Sequence, residues 1–497
     1  MEKAKTYYLL DCYEIEGRWY LPGKDPDTDG LVGTLKYSPD SITLRVQGSF
    51  IESGLFNNDD SNGKITILGF SNEGEHFSLF NCNLTCASQS YPGYTSCSYY
   101  VGKFYGGDFI IEGEKQLEQM EADFSFLNLD AWLRYQAITC THSNDRKTAQ
   151  LQIDMDTAFA SKRSYYVQSA GIKLSEEIGY VIRPPKDWFL EETTEVSIRR
   201  SYRITRRENQ PPSGQSLFDF MQNYRRLLTL LVGTPMLFSY IDFLSPNGVI
   251  EVDGVEHKWY RKVRMFYRQV GDIVNAKHLN PNTFHSILIP HDDIANTFNE
   301  IVNKWYGSQD AFRDISAAYI SDLYLPGYVE NSFLNCIKGL EAYHRYFALP
   351  HGSKDEERYD SRVDFDRQQI LKFIANNVAP ENQDYFIGRV NYEEESSFRT
   401  RLNWLLAEFP DSLKSKVFGS FNSKAKRKLI SQVVDTRNYL THRDNKDGYK
   451  NAVFEAVPLM KMIHQLSWVL QYFLLTELGI ESTIVTKRLR ENWTYED

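Results

Sequence analysis

The sequence predicts an α+β multidomain chain: a β-rich amino-terminal region, built as an antiparallel sandwich or open barrel, followed by an all-α helical bundle. Three observations carry this expectation. Apolar and polar residues alternate through much of the first 290 positions, which is the period of a half-buried strand. From about Asp292 onward the apolar residues recur at threes and fours, the period of a helix with one apolar face. The 497 residues, 42% of them hydrophobic, suffice for two or three domains with real cores.

The strands come first. Ile42, Leu44 and Val46 alternate with polar partners, Ile65 and Ile67 follow the turn signal Asn62-Gly63, and Leu151, Ile153 and Met155 keep the period of two. Tyrosine and phenylalanine crowd residues 91–109, interrupted by Gly93, Gly102, Gly106 and Gly107. In residues 196–205 one face carries Val196, Ile198, Tyr202 and Ile204, and the other carries Arg199 and Arg203, with Arg206 and Arg207 following. After the breaker Pro211-Pro212-Ser213-Gly214, residues 216–232 have helical spacing through Leu217, Phe220, Met221, Tyr224, Leu227, Leu228 and Leu231, and stop at Gly233 and Pro235. Strands follow at 237–243 and 258–267, with Asn247-Gly248 and Asp253-Gly254 as turns. The helical region predicts long helices over 292–305, 311–323, 329–347, 365–378, 397–409, 423–441 and 450–478, for which a bundle is the economical packing.

Bulk properties narrow the class. The first residues, 1–17, carry early charge and no apolar stretch long enough for a signal peptide. The apolar region 457–480 is interrupted by Lys461, His464, Gln465, Gln471 and Glu477, so a buried helix is expected and not a membrane span. Six cysteines make no disulfide framework for a chain of this length, and a reducing, cytoplasmic location is expected. His76, Cys82, Cys86 and Cys97 offer a conceivable zinc set, but without a Cys-x-x-Cys pair ordinary half-buried thiols are favoured.

Charge points to a partner. The net charge of -10 argues against indiscriminate adsorption to nucleic acid. Residues 311–497 hold 25 Lys plus Arg against 26 Asp plus Glu, and the first 310 hold the remaining 31 and 40. Within the nearly neutral later part, residues 414–443 hold eight cations against Asp435 alone, net +7. Lys424, Lys426, Arg427, Lys428 and Arg443 therefore form a footprint suited to an RNA backbone; a solvated helix face is the competing reading.

Next to that footprint lies Asp435-Thr436-Arg437-Asn438-Tyr439-Leu440-Thr441-His442-Arg443-Asp444. Cleaving RNA without a metal or organic cofactor needs a base for the ribose 2'-hydroxyl, a fixed cation beside the phosphate and a donor that orients its oxygens. His442, Arg437 and Asn438 match those needs in order. On an ideal helix Asn438 and His442 lie one turn apart, whereas Arg437 and His442 point roughly 140° apart, so the helix is expected to end or bend near Thr441. Counting back from Arg437 gives Val434, Val433, Ile430 and Leu429, which places the guanidinium on the apolar face, where it needs a partner or ligand. The competing readings are cations answering the helix dipole, or a packed arginine paired with an acid. A metal nuclease built on Asp435 and Asp444 is disfavoured, because nine helical positions separate them.

Arg437-Asn438-x-x-x-His442 in the penultimate long helix is similar to the motif of the HEPN superfamily. Phe333-Leu334 with Leu340-Glu341-Ala342-Tyr343-His344-Arg345, together with residues 435–444, resembles the HEPN domain of ApeA-type anti-phage defence proteins, which also carry a large β-rich amino-terminal domain. The resemblance implies a sensor or regulatory domain over 1–290, a helical connector over 291–325 and a HEPN ribonuclease domain over 326–497. It implies an abortive-infection endoribonuclease acting on RNA, tRNA in particular, that is triggered by a phage component and works as a homodimer through the bundle. Arg437 and His442 then match the catalytic pair, Asn438 the polar neighbour, and Glu341 an acidic position that pairs with Arg437. A non-catalytic HEPN module that binds RNA or nucleotide is the alternative.

Overall fold

A computed structural model describes residues 7–50, 64–90, 94–133, 138–142, 149–153, 163–183, 195–206, 216–252, 255–269, 287–325, 327–348, 364–391, 397–442 and 446–492. The chain divides into two compact units, Met1–Leu228 with Pro235–Phe284, and Thr229–Thr234 with His285–Asp497.

The first unit is built on antiparallel strands. Strands β1 (Tyr13–Tyr20), β2 (Leu31–Ser38), β3 (Ser41–Gln47), β4 (Ile65–Ser71), β5 (His76–Ser90) and β6 (Tyr94–Tyr100) pair in the order β5-β4-β1-β2-β3-β6, and β6 pairs back onto β5 to close a six-stranded barrel. Closure depends on β5 changing partner along its length. Its first residues, His76 to Phe80, pair with β7 (Lys103–Gly107), and Asn83 onward pair with β6. Between the two pairings Asn81 takes a left-handed φ of 56°, a conformation that asparagine tolerates better than most residues.

From β7 the sheet continues through β15 (Val255–Tyr267), β14 (Phe238–Val252), β8 (Glu121–Phe126), β13 (Glu195–Arg206), β12 (Ile172–Arg183) and β11 (Ser164–Val167); β9 (Ile138–His142) and β10 (Ala149–Ile153) form a separate pair. The barrel core is aromatic: Trp19, Tyr37, Phe77, Tyr99, Phe104 and Phe266 are at most 2% exposed, and each such side chain stabilises by roughly 1.5–3 kcal/mol. Trp19 donates its indole N–H to the Gly33 carbonyl at 3.1 Å, and a Cβ at Gly69 would sit 2.4 Å from the Trp19 ring. Helix α1 (Leu217–Val232) begins with a Ser216 cap, whose hydroxyl accepts the Asp219 N–H at 3.1 Å, and ends at Gly233 with φ +81°.

Asn247-Gly248 is not a hairpin turn. β14 runs through it, with a register shift between Pro246 and Gly248; proline cannot donate to the ladder and glycine accepts the bulge. Asp253-Gly254 lies outside the described residues, as do Asn62-Gly63 and Met155. The His76, Cys82, Cys86 and Cys97 set does not converge either. A register shift between Leu84 and Cys86 turns the strand over, so Cys82 is buried while Cys86 is exposed. Burial pushes the Cys82 thiol up to about 12, which opposes the thiolate a metal needs. Among the described residues no group of three His, Cys, Asp or Glu is arranged to hold a metal. On the arginine face of β13, Arg203 lies 3.8 Å from both Glu121 and Asp123, as a charged sheet face would have it.

The second unit is helical: α2 (Phe298–Gly307), α3 (Gln309–Tyr324), α4 (Val329–Tyr343), α5 (Asp364–Asn377), α6 (Pro380–Asn391), α7 (Phe398–Glu408), α8 (Asp411–Phe418), α9 (Ser423–His442), α10 (Ala456–Glu477) and α11 (Ser482–Asn492). Its centre is α4 packed on α3 and α10, with Phe333, Ile337 and Leu340 meeting a core that includes Leu466, Val469 and Leu470. Among the described residues no helix is long and apolar enough to cross a membrane. Three helices differ from expectation. The predicted 292–305 helix is a short turn, His291–Ile294, followed by α2. The 329–347 helix changes to a π-helical turn over His344–Ala348. The 450–478 helix starts only at Ala456, because the residues before it bond elsewhere, as described next.

Candidate active site

Helix α9 is set by its ends and its buried stripe. Asn422 caps it, its side-chain oxygen accepting the N–H groups of Lys424 and Ala425 at 3.1 and 3.0 Å. Ile430, Val433, Thr436 and Leu440 form the buried face, which packs on α4 and α7. The helix continues to His442, one residue past the expected end; Arg443 and Asp444 lie outside the described residues.

Two polar residues on α9 hold the returning chain. Thr436 donates its hydroxyl to the Gln432 carbonyl at 2.6 Å and accepts the Val453 N–H at 2.9 Å. Asp435 accepts the Asn451 backbone N–H at 3.1 Å and its side-chain amide at 2.9 Å. These bonds fold the segment before α10 against the end of α9, where Phe454 and Tyr449 lie edge-on to Tyr439 with ring centroids 4.8 and 6.0 Å away. Asp435 is thereby a structural acceptor, which leaves the metal-nuclease alternative without one of its two carboxylates. Sequence reasoning missed this pinning role; a threonine on the buried stripe beside an aspartate was the available signal, since a buried hydroxyl needs a partner.

Helix α4 supplies the acid. Gly339 lets it cross close to its neighbours: a Cβ there would meet Leu470 Cδ2 at 2.7 Å and the Ile315 carbonyl oxygen at 3.0 Å. Two residues on, Glu341 accepts a hydrogen bond from Arg437 Nη2 at 3.4 Å, with the two side chains 21% and 31% exposed respectively. Arg437 Nη1 also donates to Asn438 Oδ1 at 3.1 Å. A guanidinium carries five N–H donors, so others remain for a ligand; among the described residues they have no partner. Because the Asn438 oxygen faces the arginine, its NH2 group is turned elsewhere as a further donor.

The structure thus brings Arg437, Asn438 and Glu341 together. It does not bring His442 to the guanidinium within one chain. His442 is exposed and sits one turn beyond Asn438, about 40° around the helix.

The predicted basic residues divide between the two faces of α9. Ideal geometry places Lys426 about 20° from Arg437, while Lys424 and Lys428 lie within about 40° of His442 and Arg427 falls between the two groups. Lys424, Arg427 and Lys428 are exposed and Lys426 is half-buried. Burial, with the charge of Lys414 beside it, lowers the Lys426 pKa from its usual value. Along the axis the four stand roughly 14 to 20 Å from Arg437, a few nucleotides of extended strand.

Comparison with known proteins follows the same division. The family model for ApeA N-terminal domain 1 matches residues 14–305, and the model for the Apea-like HEPN domain matches residues 334–484. No curated protein and no solved structure matches. The first match alone spans more than half of the chain. The chain therefore belongs to the ApeA-type family, an ApeA N-terminal domain followed by an ApeA-like HEPN domain.

Proposed function

We propose that this member of a HEPN defence family is an abortive-infection endoribonuclease that cleaves RNA, tRNA in particular, without a metal. Arg437, Asn438 and His442 are its catalytic residues, Glu341 positions Arg437, and the ApeA N-terminal domain regulates it by sensing a phage component. The observation that carries this reading is the half-exposed Arg437 guanidinium, tethered by Asn438 and Glu341 with donors to spare, on the same helix as the exposed His442, which lies one turn beyond Asn438. Its charge is preset where negative charge develops, which is the most effective form of transition-state stabilisation.

In the proposed reaction His442 takes the proton of a ribose 2'-hydroxyl and the freed oxygen attacks the adjacent phosphorus. Arg437 and the Asn438 amide hold the phosphate oxygens, and the bond to the 5'-oxygen breaks. The products are a 2',3'-cyclic phosphate and a 5'-hydroxyl end. The leaving oxygen needs a proton, and each chain offers one imidazole in the motif. A second copy related by a two-fold axis supplies the other and also answers the angle between Arg437 and His442. Lys424, Lys426, Arg427, Lys428 and Arg443 would guide the RNA backbone.

Incubating the full-length protein with total tRNA in EDTA tests this. Cleavage leaving cyclic phosphate ends, lost in Arg437→Ala and in His442→Ala, is expected; a fully active monomer would remove the two-chain step. The wide angle between Arg437 and His442 in one chain also suits a module that binds RNA without cutting it. RNA binding with intact RNA ends, in EDTA and in phage-infected cells alike, would select that reading.

A further inference from the structure

The sheet of the first unit carries a row of four charged side chains. Arg203 of β13, Asp123 of β8, Asp242 of β14 and Arg264 of β15 are direct partners across adjacent strands, so they stand on one face in the order plus, minus, minus, plus. Like charges directly opposite one another oppose strand pairing. The two aspartates meet this unequally. Asp242 is 6% exposed and gripped by a fork, Arg264 Nε and Nη2 bonding its two oxygens at 2.5 and 2.7 Å. Asp123 has no such fork. Arg203 Nη2 stays 3.8 Å from its Oδ2, and its Oδ1 is shut off from solvent without a hydrogen-bond partner.

Arg203 is divided between two acids on β8. Its Nη1 lies 3.8 Å from Glu121 Oε2, the same distance that separates Nη2 from Asp123, and its guanidinium sits over the Tyr260 ring, 5.3 Å from the centroid. Tyr260 in turn donates its hydroxyl to Glu121 at 3.2 Å. The groups around Asp123 are thus Glu121 on its own strand, Ser201 and Arg203 from β13, Glu177 from β12, Tyr240 and Asp242 from β14, and Arg264 from β15. Burial raises the Asp123 pKa from 3.8 to about 6; the Asp242 and Glu177 charges push the same way, and Ser201 and Arg203 oppose it.

We propose that this row is a proton switch built into the sheet. With a proton on Asp123, a neutral carboxyl faces Asp242 and Arg203 belongs to Glu121 and Tyr260. When the proton leaves to solvent, Arg203 is drawn to Asp123, and two like charges face each other between β8 and β14, which weakens the pairing of a strand in the interior of the sheet. The proposal does not depend on the nuclease reading: it gives the first unit a response to pH whether or not the second cleaves RNA.

The sign follows from linkage. The folded chain keeps this proton up to about pH 6 and the unfolded chain only to about 3.8, so β8 should open more readily as pH rises through 6. Amide hydrogen exchange of residues 121–126 in the full chain, read by mass spectrometry and corrected for the intrinsic rate at each pH, measures that opening. Protection should fall by about tenfold between pH 5 and pH 7.5, with its midpoint near 6. Asp123→Asn, which is neutral like the protonated carboxyl, should show equal protection at both ends of the range. Glu121→Gln removes the other acceptor of Arg203, so the midpoint should move to lower pH. Protection that does not change with pH in the native chain, the native response retained in a folded Asp123→Asn, or an unmoved midpoint in Glu121→Gln would each overturn the proposal. Should Asp123→Asn fail to fold, the midpoint in Glu121→Gln decides.

Discussion

Removing the charge of Glu341 should separate positioning from stability. The pair with Arg437 is 3.4 Å long, with side chains 21% and 31% exposed. At an effective dielectric of about 20 its gross attraction is roughly 5 kcal/mol. Exposure on both sides, desolvation and the ordering of two long side chains reduce the net contribution to about 1 kcal/mol or less. Glu341→Gln should therefore melt within about 4 °C of the native chain. Catalysis should be far more sensitive. Arg437 has two tethers, and without Glu341 only Asn438, on its own helix, still fixes the guanidinium; a displacement on the order of 1 Å costs about a hundredfold in rate. We expect Glu341→Gln to lose about tenfold and Glu341→Ala about a hundredfold in single-turnover RNA cleavage, with substrate affinity nearly unchanged. Rate and urea denaturation should be measured on the same preparations. A folded Glu341→Ala protein that cleaves at the native rate would refute the positioning role, and a rate that merely follows the folded fraction would make Glu341 structural only.

Three further outcomes follow from particular residues. Replacing Lys424, Arg427 and Lys428 together by alanine should lower the slope of log affinity against log salt by about 2 for single-stranded RNA, at roughly 0.7 per lost contact; an unchanged slope in filter binding takes α9 off the RNA path. Gly339→Ala should destabilise by about 1–3 kcal/mol in urea, because the new methyl would meet the Ile315 carbonyl at 3.0 Å and Leu470 at 2.7 Å. The helix propensity of alanine, worth about 1 kcal/mol, acts the other way, so a stabilised variant would disprove the tight crossing. Burial lowers the His464 pKa below its ordinary 6.5. The unfolded chain therefore binds that proton first, and stability should fall as pH drops below 6.5. His464→Gln should flatten that part of the stability curve, and identical slopes would remove His464 as the cause.

Local pattern carried much of the architecture. Alternation at Ile42, Leu44 and Val46 placed β3, the spacing of Leu217 through Leu231 placed α1, and the basic run with Arg437, Asn438 and His442 placed α9. Periodicity failed where a residue answered a distant partner. Residues 450–455 have helical composition, yet Asn451 and Val453 donate their N–H groups to Asp435 and Thr436, so α10 begins at Ala456. Asn247-Gly248 reads as a turn in isolation, but pairing with β15 before and after it carries β14 through, with a register shift at that point.

By itself the sequence determined where strands give way to helices and singled out Arg437, Asn438 and His442 as candidates, because those readings depend on neighbours a few positions apart. Only the tertiary structure decided that β5 divides its edge between β6 and β7 to close a barrel, that the Phe77 ring fills the space beside Gly106, and that Glu341, 96 residues before Arg437, tethers its guanidinium. Each of those rests on partners far apart along the chain, and no local period encodes which of many compatible strands, helices or carboxylates will meet.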